Sequence, residues 1–243
     1  MSTAVAAVRS LITYVAIVVY IAVAGPVALV IGAFFKWKRG MYALGRAGAG
    51  LAMALAGIRY RIGGRENIPK TAVVFCSNHE SNVDPAVLFH GLHPMLHILY
   101  KAELRNVPLM RTVFDVGGFV AVDRGDRDRA MASIDRGAAS LRAGNSFLIF
   151  PEGTRSRTGD LLPFKKGGFI MAIQAQVPIV PVAIRGGRDA MRKGSAIVRP
   201  VHVSVRIGKP VSTVGLNMDD RDRLIAVVRS EVEKLLQADP VWT

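Results

Sequence analysis

The chain has 243 residues, enough for one well-filled core or one domain with an appendage, and its single cysteine, Cys76, excludes an intrachain disulfide. A formal net charge of +14 implies an anionic partner, and nucleic acid, anionic lipid and phosphorylated substrate are the candidates. Hydrophobic residues make up 51% of the chain and the mean hydropathy is +0.31, more apolar than free nucleic-acid binders, so the composition points to a membrane surface and away from nucleic acid.

The first predicted element is an apolar helix over Leu11 to Phe35, 25 residues without a charge and long enough to cross a hydrocarbon core of ~30 Å, with a kink expected at Pro26. A second apolar stretch, Tyr42 to Ile58, is rich in Ala and Gly, which suits close packing against another helix. Lys36, Lys38 and Arg39 lie between the two, and Arg59, Arg61 and Arg65 follow the second. Two full crossings would put one of these basic groups on the outer side, against the positive-inside rule. A single crossing or a hairpin dipping into one leaflet avoids the conflict, and the kink and the short second segment favour the hairpin. Ala22 to Gly25 resembles a signal-peptide cleavage site. Only Arg9 precedes it and the apolar run continues past it, so residues 1–58 are read as a retained two-helix anchoring segment.

Residues 59–243 read as one α/β domain, a mixed and largely parallel sheet flanked by helices. Strands are expected at Thr71 to Ser77, Met95 to Tyr100, Gly118 to Asp123, Ser146 to Phe150, Pro178 to Ile184 and Val201 to Gly208. Helices are expected at Pro85 to Gly91, Arg127 to Arg142, Lys166 to Gln176 and Asp219 to Gln237, with Asp126 and Asp219 as N-caps.

In such sheets ligands bind beyond the carboxyl ends of the strands, where three polar loops stand out. The first is NHESNVD, Asn78 to Asp84. His79 suits a general base, and Asp84 can accept from its Nδ1–H and offset the imidazolium charge. Asp84 before Pro85 is also what a helix N-cap looks like. Ser81 lacks the strained elbow of a serine nucleophile and reads as a loop-ordering residue. The second loop is DRGD, Asp123 to Asp126, where Arg124 at a strand-to-helix turn suits a phosphate. The third is FPEGTRSRTGD, Phe150 to Asp160: Gly153 lets a ligand approach the backbone, Arg155 offers a planar fork to a phosphate, and Glu152 can hold that arginine or a substrate hydroxyl. His90, His93 and His97 have a spacing that could suggest a metal, but Pro94 breaks any common helical face and no acidic or thiol ligand adjoins them, so no metal site is expected.

Taken in this order, the loops resemble those of the glycerolipid acyltransferases, in particular the PlsC-type 1-acylglycerol-3-phosphate acyltransferases. The family's N-H-x-S-x-x-D matches Asn78 to Asp84, its glycine and apolar run ending in D-R matches Gly118 to Arg124, and its F-P-E-G-T-R-S matches Phe150 to Ser156 without change. Its V-P-[IV]-[IV]-P-V strand matches Val177 to Val182, and KAEL, Lys101 to Leu104, is similar to its K-x-E-L stretch. Glu80 departs mildly, at a position often Gln or Arg. The resemblance implies acyl transfer from acyl-CoA or acyl carrier protein to the free hydroxyl of lysophosphatidic acid, giving phosphatidic acid in phospholipid biosynthesis, with no cofactor and no covalent acyl-enzyme. It implies His79 as general base, Asp84 as its orienting partner, and Arg124, Glu152, Gly153, Thr154 and Arg155, helped by Lys101, as the glycerol-phosphate site. It further implies a membrane-associated enzyme whose catalytic domain faces the cytoplasm, where the donor is. The same chemistry on glycerol 3-phosphate or another lysophospholipid is the nearest alternative. A non-catalytic anionic-lipid tether is the alternative of another class, and it leaves the matched loops unexplained.

Overall fold

Short β-branched runs between turn residues become the strands of one sheet in the computed structural model of the chain, which describes residues 2–106, 110–123 and 125–241. The elements in chain order are α1 (Thr3–Ala33), α2 (Lys38–Ala56), β1 (Arg59–Gly63), β2 (Val74–Ser77), α3 (Asp84–Gly91), β3 (Leu96–Lys101), α4 (Met110–Gly117), β4 (Val120–Val122), α5 (Arg127–Arg142), β5 (Ser146–Ile149), α6 (Gly167–Ala175), β6 (Ile179–Arg185), α7 (Gly187–Ala190), β7 (His202–Ile207) and α8 (Arg221–Gln237). The strand order is β1-β7-β6-β2-β5-β3-β4, and every pairing is parallel except β6 with β7. The mixed, largely parallel sheet flanked by helices is therefore as expected.

Alternate residues of β2 feed two cores, because successive side chains point to opposite faces of a sheet. Phe75 packs with Leu148, Val182 and Val203 under Met53 and Ala56 of α2 and Val87 and Leu88 of α3. Val74 and Cys76 pack with Phe147 and Ile149 under Ile134 of α5, Phe169 and Met171 of α6 and Val228 of α8. Strands buried on both faces read as continuous apolar runs, which is why β2, β5 and β6 are visible in the sequence.

The two apolar stretches form a packed pair but differ in exposure. Among the described residues α1 alone is long and apolar enough to cross a membrane, and it exposes Val5, Val8, Leu11, Ile12, Val15, Val18, Val19 and Val23. The helix continues through Pro26. Tyr42 to Ile58 falls in α2, which packs along α1, where the Tyr20 hydroxyl donates to the Leu44 carbonyl at 2.8 Å, and also against the domain: Met41, Tyr42, Met53 and Ala56 are buried, the Tyr42 hydroxyl donates to the Gly117 carbonyl at 2.8 Å, and Arg46 donates to the His90 carbonyl at 2.9 Å. α1 touches the domain at both ends. Near its start, the Val198 N–H donates to Ser10 Oγ at 2.8 Å and the Tyr14 hydroxyl donates to the Ala196 carbonyl at 2.6 Å. Near its finish, Gly32 lies so close to α4 that a Cβ there would come within 2.9 Å of Val116. Ser10 and Gly32 are 22 steps apart along the helix, about 33 Å at ~1.5 Å each, so α1 lies along the domain rather than projecting from it.

One local expectation is corrected and two elements are added. Asp126 caps α5 by accepting from the N–H groups of Asp128 and Arg129, both at 3.0 Å, but Asp219 makes no cap among the described residues. Asn217 takes that place, accepting from the Asp219 N–H and opening a 3₁₀ turn over Met218–Asp220 that leads into α8. β1 and α4 are additional to the expected elements.

Candidate active site

The site begins where β2 leaves the sheet. The Asn78 carboxamide extends the β2–β6 ladder by one rung, donating to the Ile184 carbonyl at 2.9 Å and accepting from the Ile184 N–H at 2.8 Å. This fixes the chain direction just before His79. His79 is then held at its own backbone: its N–H donates to Glu152 Oε1 at 2.8 Å, and its carbonyl accepts from the Ser156 N–H at 2.8 Å. Its ring stacks on Phe150, with centroids 4.2 Å apart and planes 26° from parallel. Phe150 and Glu152 both follow β5, which lies beside β2 in the sheet.

His79 Nδ1 stands 3.0 Å from Asp84 Oδ2, and Asp84 is fully buried. With Nδ1–H donated to a carboxylate, the free lone pair of the neutral ring is on Nε2, the position at which a base would accept a proton. Asp84 Oδ2 also accepts from the N–H groups of Glu80 and Ser81, each at 2.7 Å. This corrects the expected N-cap: the helix opens at Val83 with no side-chain cap, and the carboxylate turns back into the loop before it. Asp84 Oδ1 is buried with no hydrogen-bond partner among the described residues and rests against Gly187, where a Cβ would come within 2.1 Å.

Two further carboxylates surround the pair. Burial, then the Asp84 charge, pushes the Glu80 carboxyl up to about 7, and the backbone N–H of Arg188 opposes part of the shift. Burial also raises Glu152, opposed by the N–H groups of Leu162 and His79. Both Glu152 oxygens are engaged by these backbone groups, Oε2 by Leu162 at 3.0 Å, so Glu152 clamps the two loops together. Ser81 is buried and its hydroxyl donates to the Met191 carbonyl at 2.9 Å, a loop-ordering bond.

In the third loop Gly153 has φ 70°, a left-handed conformation that favours glycine, and its N–H closes a turn onto the Phe150 carbonyl at 3.0 Å. Lys193 Nζ donates to Thr154 Oγ1 and to the Arg155 carbonyl, both at 3.0 Å, so the segment after β6 braces this loop. Nothing in the local sequence marks Lys193 or Gly187 for these roles, because their partners lie far away along the chain. β2, β5, β3 and β4 are adjacent and parallel, so their carboxyl ends face one side. Lys101 ends β3 on that side, exposed and 2.8 Å from Glu103. Arg124, expected in the anion site, lies outside the described residues.

The three histidines of the metal-like spacing go separate ways. His90 Nδ1 meets the Tyr60 hydroxyl at 2.5 Å, His93 folds onto the Met95 backbone, and His97 is buried against Phe147.

Comparison with known proteins gives a consistent result. A family model described as Acyltransferase matches residues 59–185. A curated 1-acyl-sn-glycerol-3-phosphate acyltransferase of Limnanthes douglasii is 34% identical over 191 residues, covering 78% of this chain and 67% of that protein. One of Borreliella burgdorferi is 30% identical over 193 residues, covering 79% of this chain and 77% of that protein. The chain thus spans roughly two thirds to three quarters of the length of these two relatives. The crystal structure of the 1-acyl-sn-glycerophosphate (LPA) acyltransferase PlsC from Thermotoga maritima superposes with a TM-score of 0.83 at 26% identity, covering 98% of this chain and 99% of that one.

Proposed function

The chain belongs to the acyltransferase family, and on that premise we propose that it moves a fatty acyl group from a thioester donor, acyl-CoA or acyl carrier protein, to the free hydroxyl of lysophosphatidic acid, giving phosphatidic acid. The observation that carries this reading is the His79–Asp84 pair at 3.0 Å, buried on the Asp84 side and clamped through Glu152 to the loop that bears Thr154 and Arg155. The names of the relatives supply the acceptor.

His79 Nε2 takes the proton of the acceptor hydroxyl as its oxygen attacks the thioester carbonyl carbon. Asp84 holds the ring in the required tautomer and offsets the imidazolium charge. The tetrahedral intermediate collapses with cleavage of the carbon–sulfur bond, and the imidazolium returns its proton to the departing sulfur. Arg155, Thr154, Lys101 and Arg124 bind the phosphate and glycerol, and backbone N–H groups at the Gly153 turn are the candidate oxyanion donors. In this reading Ser81 carries no acyl group; the bond from its hydroxyl to the Met191 carbonyl supports a loop-ordering role. The membrane is met along the exposed apolar face of α1, which lies in the plane of one leaflet with the domain on its cytoplasmic side, where a soluble thioester is available.

The test is an activity matrix on the full chain: acyl-CoA and acyl carrier protein donors against lysophosphatidic acid, glycerol 3-phosphate and other lysophospholipids. Thiol release should depend on lysophosphatidic acid and fall by about a thousandfold or more in His79→Ala, with the fold retained. Near-normal turnover in that variant would remove His79 from its role, and acceptor-independent binding without thiol release would leave a tether.

A further inference from the structure

Away from His79, a cavity of about 440 Å³ opens between the first turns of α1, the end of α2, the start of β1 and the last turn of α3. Met53, Ala54 and Ile58 form apolar wall, and the polar lining comes from Arg9, Arg59, Tyr60 and His90. No acidic side chain lines it among the described residues. Arg9 is pinned in place: its Nε donates to the Leu55 carbonyl at 2.7 Å, and its guanidinium lies against Gly57, where a Cβ would come within 2.6 Å of Nη2. The His90 ring is fixed by the Tyr60 hydroxyl. Burial, then the charge of Arg46, lowers the His90 pKa, so the positive charge of the cavity belongs to the two arginines.

The surroundings narrow the ligand. A guanidinium fork matches a phosphate, and two of them beside apolar walls match a phosphate attached to something greasy. Arg9 is flanked by Val5, Val8 and Ile12, all on the exposed apolar face of α1. The volume suits a headgroup with its glycerol. β1 is separated from β2 by β7 and β6, which at ~4.8 Å per strand places this cavity about 15 Å across the sheet from the strand that delivers His79.

The geometry points to a second lipid site: this cavity takes the phosphate headgroup of an anionic glycerophospholipid from the leaflet that α1 faces, separately from the acceptor whose hydroxyl reaches His79. The assignment rests on the membrane-surface reading of α1 and is independent of the acyl-transfer reading, so it is tested by binding and not by turnover.

The full chain is floated with vesicles of phosphatidylcholine alone and of phosphatidylcholine mixed with phosphatidylglycerol. The unaltered chain should prefer the mixed vesicles, and His79→Ala should keep that preference. The double variant Arg9→Gln with Arg59→Gln should lose it by about tenfold or more, as expected for two basic groups close to an anionic surface. Ala54→Phe, which fills the cavity while keeping both arginines, should lose it as well. The double variant Arg136→Gln with Arg142→Gln on α5 makes the same change of charge on the opposite face of the sheet and should keep the preference. Equal losses in the two double variants would overturn the assignment in favour of diffuse charge. Full preference in a folded Ala54→Phe variant would also overturn it. So would a rise in melting temperature with inorganic phosphate that needs Arg9 and Arg59 while vesicle preference does not, which would mark a site for soluble phosphate.

Discussion

Replacing Glu80 by glutamine should stabilise the fold above pH 7 and leave it nearly unchanged in acid. Glu80 is 8% exposed, and the charged groups acting on its carboxyl are all acidic: Asp84, Asp189 and Glu152. Among the described residues the Arg188 backbone N–H opposes them, and the carboxyl is pushed from 4.5 up to about 7. The sign follows from proton binding. Between these two values the folded chain holds a proton on Glu80 that the unfolded chain has released, so stability is fully present below about pH 4.5 and is lost as pH rises through about 7. A rise from 4.5 to about 7 amounts to about 3 kcal/mol, an upper figure for the gain from glutamine, which keeps the shape and cannot ionise. The assay is urea unfolding of both proteins in the same detergent, followed by circular dichroism across this pH range. The difference in unfolding free energy should grow from near zero to about 2–3 kcal/mol, most of it between pH 5 and 7. A constant difference, or one that shrinks as pH rises, would refute the reasoning, because it would mean that Glu80 is ionised in the fold at no cost.

Three other outcomes follow from the same contacts. Gly187→Ala should lower turnover by about a hundredfold and reduce the melting temperature, since a methyl group would fall 2.1 Å from Asp84 Oδ1 and a shift of about 1 Å at a reacting pair is enough for such a loss; unaltered kinetics would show that Asp84 is not backed by this glycine. Asn78→Ala should cost about 2–4 kcal/mol by leaving both backbone groups of Ile184 unpaired, read by the same urea titration, and a loss below about 0.5 kcal/mol would mean that the rung is replaceable. Single cysteines placed at Ser2 and at Phe35, with Cys76 buried and silent, should both react with an impermeant maleimide on the side of the vesicle that carries the domain; protection of either one would show that α1 crosses.

What the sequence shows of this fold, and what it conceals, divides by the range of the interaction. β2, β5 and β6 are legible because each is buried on both faces and must be apolar throughout, and Asp126 is legible because a cap bonds to its own next turn. β1 is hidden at the sheet edge: Arg59, Tyr60 and Arg61 alternate with solvent and read as a basic stretch trailing an anchor. α2 is hidden for a different reason. Its Ala and Gly content suits a membrane helix and a soluble helix pressed against neighbours equally well, and only the partners decide: Gly48 admits the Tyr20 ring and Gly45 faces Phe89. The same division runs through the site. His79 and Asp84 are five residues apart, and their pairing can be argued from a loop. The Asp84 carboxylate turns back to the N–H groups of Glu80 and Ser81 because those donors lie within four residues and are already buried with it, a choice that the Asp-Pro pattern does not reveal. Glu152 is 73 residues from the N–H it accepts, and Asn78 is 106 residues from Ile184, so neither clamp leaves a local pattern. A polar residue in a catalytic-looking loop therefore has two readings that sequence alone cannot separate, contact with the ligand or support of the residue that makes it. For Glu152 the buried pair of backbone bonds favours support, which in the proposed reading leaves phosphate recognition to Arg155, Thr154, Lys101 and Arg124.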